Sequence, residues 1–442
     1  MKVFKEKYLG FSAFAGLAFS FGLVGVSATA EAAPPANVLE NIEARGIPEQ
    51  AMPLDENVVR RAFVQMNKGM LVAGEKNGAP HLKLQLFSDV IVQAKNQSFE
   101  RRNDESYTWF GGVEGDEHGN VVITVEDGKI AGLIIANGKT YRIQELPSGN
   151  QVVRELDTTQ FKDHDDSYSE TEGQQPDLSP QPNADTIGST QFTQTLLLEP
   201  IDLTLVLLTY VDVLFVYTDD IYFSTGFPAA EMQNAIDVTN QSYANSGIYT
   251  RLRKVGQLYA NYDETGNSAT DLARIQGKTD GYLDWVHWYR DYYKADIVSF
   301  WLKNTSGCGR GYIMTSVSSA FEENAFNIVK QSCAVGNLSF AHEVGHNMGA
   351  RHDTYVDATT YSPYAYNHGY VNVTEKFRTV MSYNDRCDAS GVYCTRVQHF
   401  SNPNKTYNGF ATGFPYVSWW PTWETNNAKT LNNTDYTVSL FR

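Results

Sequence analysis

Cysteine is scarce and unevenly placed. The 442 residues contain four, Cys308, Cys333, Cys387 and Cys394, and none precedes position 308. No C-x-x-C pair occurs, which argues against a cysteine-cage zinc site or a thioredoxin-type redox motif. Positive charge is also in deficit. Lys and Arg number 35 against 51 Asp and Glu, a formal net charge of −16, and that balance argues against a nucleic-acid binder. Charged residues are only 19 % and hydrophobic ones 42 %, ordinary globular proportions that speak against a disordered chain. Beyond residue 26 no apolar run is long enough to cross a bilayer, and no internal repeat is seen.

What is present divides along the chain. Lys2, Lys5 and Lys7 lead into an apolar run over 8–26, followed by Ala28-Thr29-Ala30. A positive start, an apolar stretch and a small-residue site predict an export signal over 1–30, removed on secretion. The expected destination is extracellular or periplasmic, where disulfides persist, with no membrane association afterwards. Residues 31–150 read as a small β-rich domain. Short Val- and Ile-rich runs are separated by Asp127-Gly128 and Asn137-Gly138, a strong hairpin signal. The stretch 55–68 reads as one helix. Residues 151–204 read as an acidic linker holding a maturation site.

The second domain spans 205–442. Its net charge is −4 while residues 1–204 carry −12, so the acidity belongs mostly to the first part. Strands over 211–217, 249–259 and 296–301 alternate with helices over 228–246, 268–276 and 280–293. That alternation predicts an α/β sheet with crossover helices.

The chemistry concentrates in one string, Ala341-His342-Glu343-Val344-Gly345-His346-Asn347-Met348-Gly349-Ala350-Arg351-His352-Asp353. On a helix, His342 and His346 stack on one face one turn apart, so both reach a single zinc ion. Glu343 lies one step round, able to meet a water beside the metal without ligating it, which suits a general base. Gly349 can take positive φ and end the helix, bringing His352 in as third ligand. Three protein ligands with an open position mark a catalytic zinc. Arg351 should face away from the metal, and His368 and His399 lack metal spacing and read as structural.

The pattern H-E-x-x-H-x-x-G-x-x-H resembles the metzincin metalloproteases. Asp353 after the third His resembles their reprolysin (adamalysin) branch, and Arg378-Thr379-Val380-Met381-Ser382-Tyr383 is similar to the Met-turn. Phe400-Ser401-Asn402-Pro403, a closing helical segment over about 425–440 and Ser332-Cys333-Ala334-Val335-Gly336-Asn337 resemble the bacterial members, nearest the peptidyl-Asp metalloendopeptidase group. The resemblance implies an α/β (α+β) catalytic domain with a twisted mixed sheet and a zinc-binding helix, preceded by a β-rich propeptide. It implies one catalytic Zn2+, with a calcium requirement left open. Met381 would pack under the site. Tyr383 departs from typical eukaryotic reprolysins and resembles astacins and serralysins, where such a phenol helps stabilise the oxyanion. The disulfide hypothesis is Cys308 with Cys333 and Cys387 with Cys394.

The expected activity is that of a zymogen-derived zinc endopeptidase, a monomer acting on polypeptides and inhibited by its own propeptide. No cysteine is available there to cap the zinc, so Asp163, His164, Asp165 or Asp166 is the candidate substitute. By the same resemblance, the segment Gly311-Tyr312-Ile313-Met314 is the candidate substrate-binding edge strand. A preference for Asp after the scissile bond needs a basic pocket residue, with Arg378, Arg386 and Arg396 as candidates. The rival reading is a non-proteolytic adhesion or binding protein retaining a metzincin zinc site. An intact Glu343 argues against it.

Overall fold

The computed structural model describes residues 35–42, 57–72, 79–162, 208–225, 228–359, 361–416 and 424–442. The export segment and the run 163–166 lie outside the described residues.

Nine strands form a closed barrel in the first part. They are β1 (Ala36–Asn41), β2 (Val58–Met66), β3 (His81–Phe87), β4 (Val90–Arg101), β5 (Tyr107–Val113), β6 (Asn120–Glu126), β7 (Lys129–Ala136), β8 (Lys139–Glu145) and β9 (Gln151–Leu156), with a short helix α1 (Lys68–Leu71) after β2. Neighbours pair antiparallel except β1 with β3, whose parallel pairing closes the ring. Asp127-Gly128 and Asn137-Gly138 take positive φ at both positions and join β6–β7 and β7–β8 as two-residue turns, the geometry that matches strand twist. Leu82, Leu84, Trp109, Ile123, Ile134 and Val153 fill the interior.

The stretch read as a helix over 55–68 is largely strand β2. Its Arg, Ala and Gln residues favour a helix locally, but pairing with β1 and β9 overrides that preference. The linker does not begin at 151. Residues 151–156 are β9, the strand between β2 and β8 without which the barrel would stay open.

The second part is built on a five-stranded sheet of order β11-β10-β12-β14-β13. Its elements are β10 (Thr209–Thr218), α2 (Asp219–Thr225), α3 (Ala229–Ser246), β11 (Thr250–Ala260), α4 (Ser268–Gln276), α5 (Trp285–Tyr293), β12 (Ile297–Leu302), β13 (Gly309–Gly311) and β14 (Phe326–Lys330). All pairings are parallel except β13 with β14, so the sheet is mixed, with β13 an antiparallel edge. The edge strand lies two residues before the stretch expected at 311–314. The chain leaves the sheet there because Met314 N–H turns to His346 O at 3.1 Å. Helices α6 (Gln331–Ala334) and α7 (Ser339–Asn347) follow. Next come β15 (Val371–Asn372), β16 (Phe377–Arg378), α8 (Asp385–Asp388) and β17 (Thr395–Arg396), then the hairpin β18 (Thr406–Tyr407) and β19 (Phe410–Ala411) and the closing helix α9 (Asn427–Val438). Cys308 is bonded to Cys333 and Cys387 to Cys394.

Helix α3 is buried over most of its length, between the sheet on one side and β6 and β7 of the barrel on the other. Its polar residues face barrel partners. Glu231 pairs with Arg142 at 2.6 Å. Asp237 accepts the hydroxyls of Thr108 and Thr124 at 2.6 and 2.7 Å. Phe110, Val122 and Leu133 of the barrel join the same apolar cluster as Met232 and Tyr243. Polar pairing and apolar packing together hold the two parts against each other.

Candidate metal centre

Helix α7 carries the decisive string and is wholly buried. It ends where Gly349 adopts φ +92°, a left-handed conformation in which glycine has no Cβ penalty. A Cβ there would also meet Pro363 Cγ at 3.0 Å and Met314 O at 3.2 Å. The chain then folds back and delivers His352. The Nε2 atoms of His342, His346 and His352 lie 2.9 to 3.1 Å from one another, so all three point at one locus.

On His342 and His346 the opposite ring nitrogen is fixed by the backbone. His342 Nδ1 donates to Val380 O and His346 Nδ1 to Ala350 O, both at 2.9 Å. These bonds set the tautomer that leaves Nε2 as a lone-pair donor. Burial, followed by the neighbouring imidazoles, holds His342 and His346 well below the usual histidine range. Neutral imidazoles are what a metal requires. Tetrahedral nitrogens about zinc stand about 3.3 Å apart, so this donor set fits zinc after small adjustment.

Glu343 lies under the sheet edge. Its carboxylate packs against β13 so closely that a Cβ on Gly309 would come within 2.5 Å of Oε1, and one on Gly311 within 3.2 Å of Oε2. Burial pushes its carboxyl up to about 8, against the opposing charges of Arg310 and Arg396. The glycine pair was not singled out from the sequence. Gly309-Arg310-Gly311 directly after Cys308 was the available signal. Asn347 was also missed. Its amide donates to Tyr312 O and Phe326 O at 2.9 and 3.0 Å and accepts from Asn327 at 2.9 Å, fastening the end of α7 to the sheet edge.

Met381 lies beneath α7, fully buried. The Tyr383 ring stacks nearly parallel to His342 (5.7 Å, 7°) and lies 4.1 Å from the His352 ring. Its backbone N–H donates to Asp353 Oδ2 at 3.0 Å, while Oδ1 accepts from Tyr355 N–H at 3.1 Å. Asp353 therefore ties the loop of the third histidine to the turn beneath the site.

The other candidates separate clearly. Arg351 turns to Asp357 at 2.8 Å and Ser362 O at 2.7 Å, away from the imidazoles. His368 holds the His352 carbonyl at 2.8 Å through Nδ1 and belongs to the support, not to the three-nitrogen cluster. His399 packs beside Tyr407. Arg378 is sealed in, Arg386 is exposed on α8, and Arg396 on β17 is half-buried.

The family description of the M12 metallo-peptidases (Reprolysin_5) matches residues 208–401. A peptidyl-Asp metalloendopeptidase of Stenotrophomonas maltophilia is 32 % identical over 381 residues, covering 82 % of this chain and 83 % of that protein. The namesake from Xanthomonas campestris pv. campestris is 31 % identical over 395 residues, covering 86 % and 85 %. A shorter one from Pseudomonas fragi is 32 % identical over 205 residues, covering 46 % of this chain and 99 % of its own. With three imidazoles converging beside Glu343 on a helix closed by Gly349, and with relatives matched over most of their length, the chain belongs to metallo-peptidase family M12 and is a metalloendopeptidase.

Proposed function

We propose that the protein is exported as a zymogen and matures into a monomeric zinc endopeptidase that prefers Asp after the scissile bond. The carrying observation is the convergence of three buried Nε2 atoms within 2.9 to 3.1 Å, with the buried Glu343 on the same helix directly after His342. His342, His346 and His352 would hold the metal. Zinc bound there would supply Lewis-acid activation of the scissile carbonyl and of water.

The remaining steps belong to the chain's own side chains. Glu343 takes a proton from the attacking water and passes it to the leaving amine. Tyr383, packed against the His342 and His352 rings, donates a hydrogen bond to the developing oxyanion. The substrate adds as a further strand along the outer edge of β13, where Gly309 and Gly311 keep it close to Glu343. The Asp preference is taken from the names of the relatives. Before maturation the barrel-containing propeptide inhibits the enzyme through the chain that follows Lys162.

The test is peptide hydrolysis by the exported, processed protein, with and without a chelator. Activity should vanish with the chelator and return with zinc. Glu343→Ala should retain zinc and lose nearly all turnover. Proteolysis surviving in that variant would sink the proposal.

A further inference from the structure

Three arginines surround the turn that carries Met381, and their settings differ. Arg378 is 1 % exposed and donates to Cys394 O and Ser382 O at 3.0 and 2.6 Å. It is a brace inside the turn. Arg386 sits on the exposed side of α8. Arg396 is half-buried, and its guanidinium bridges two walls. It donates to Asn337 O at 2.9 Å, just before α7, and to Ser382 O at 3.0 Å, just after Met381. His342 sits between those same walls, with its Nδ1 on Val380 O.

A fourth cation, Arg310, lies on the neighbouring sheet edge. Gly309 and Gly311 face Glu343, so the side chain between them projects from the opposite face, where it donates to Ser268 Oγ at 2.8 Å. Arg396 is thus the arginine held at the seam between the ligand helix and the turn, near enough for its charge to bear on both His342 and Glu343.

We infer that Arg396 reads the acidic side chain that follows the scissile bond. The inference rests on the Asp preference proposed above. Two carbonyls at fixed positions orient the guanidinium before substrate arrives, so an incoming carboxylate gains a charged hydrogen bond without ordering a flexible partner. A cation fixed in this way distinguishes a carboxylate one methylene from the backbone from one two methylenes away. Asp should therefore be preferred over Glu as well as over neutral Asn.

The experiment compares kcat/KM for peptides that differ only in that residue (Asp, Glu, Asn or Ala), using the processed wild-type enzyme, Arg396→Gln and Arg396→Lys. Wild type should favour Asp over Asn by on the order of 10- to 100-fold. In R396Q that ratio should collapse towards one, whatever the variant's absolute rate. Ratios within one enzyme cancel any loss of folded fraction. If R396Q fails to fold, R396K carries the test, because a flexible point charge should erase most of the Asp-over-Glu discrimination. Wild-type ratios retained in R396Q, or in R396K when it stands alone, would overturn the assignment of Arg396 while leaving the Asp preference intact. Equal wild-type rates on Asp and Ala would overturn the preference and the assignment together.

Discussion

Met381 occupies the space that a side chain at residue 345 would need. A Cβ built on Gly345 would stand 2.5 Å from Met381 Sδ and 3.3 Å from its Cε. Phe400 closes the same gap from the side, also at 3.3 Å. The helix that presents His342 and His346 is thinned to bare backbone where the turn passes under it. One residue earlier in that turn, Val380 O orients His342. Contact and hydrogen bond thus locate the helix against its floor.

Gly345→Ala should therefore destabilise the protein. In an open helix interior that change stabilises by about 1 kcal/mol. Here the added methyl overpacks the contact with Met381, at a cost of about 1–3 kcal/mol. Thermal unfolding should show a lower Tm, and a competing chelator should remove zinc more readily. Met381→Leu, which nearly conserves volume, should cost less than about 1.5 kcal/mol. A raised Tm for G345A would show that the turn yields freely.

Gly309→Ala separates activity from stability. The atom a Cβ would strike is Glu343 Oε1, the far end of a flexible side chain. The fold can accommodate the methyl by moving the carboxylate. Displacing a catalytic group by about 1 Å can cost on the order of 100-fold in rate. The expected result is near-normal melting and zinc content with kcat reduced by about that factor. Full activity in G309A would mean that Glu343 has no fixed working position.

The convergence of the three histidines was legible because its elements are local. The histidines, Glu343 and the helix-ending glycine fall between His342 and His352, so periodicity and one turn rule place them without the rest of the chain. The Asp127-Gly128 and Asn137-Gly138 turns were legible for the same reason. Strands β2 and β9 were misread because their structure is decided by distant partners. Val58 pairs with Leu156 and Phe63 with Val152, and neither segment announces that pairing in its own composition. Gly309 and Asn347 escaped notice because their roles are tertiary contacts between a sheet edge and a helix that follows only after β14 and α6. The edge strand was misplaced by two residues because the departure of the chain at Met314 depends on the end of that same helix.

His399 should make the fold sensitive to acid. Burial, with His118 and Lys405 nearby, pushes its imidazole down to about 4. The unfolded chain therefore binds the proton more readily than the folded one between about pH 6.5 and 4. Stability from this group is complete above that window and is lost as pH falls through it, by up to about 3 kcal/mol. Its Nδ1 has no hydrogen-bond partner among the described residues, so His399→Phe removes a buried polar atom along with the titration. Tm measured from pH 7.5 to 4 should fall less steeply in H399F than in wild type. Parallel curves would remove His399 from the account.

A buried ion pair crosses the seam between the barrel and the second domain, and breaking it should cost more than removing it. Arg142 on β8 and Glu231 in the first turn of α3 meet at 2.6 Å, with side chains only 7 % and 5 % exposed. Gln331 supplies a second donor to the same carboxylate at 2.7 Å. Removing one member strands the other charge, at about 3–5 kcal/mol, whereas removing both is often nearly neutral. Arg142→Met alone should therefore lower the stability of the full chain markedly, and adding Glu231→Gln should restore much of it. The coupling energy from denaturant unfolding of wild type, R142M, E231Q and the double variant measures this directly. Additive losses would mean that water reaches the seam and that the apolar cluster of Phe110, Val122 and Leu133 holds the barrel without help from the charges.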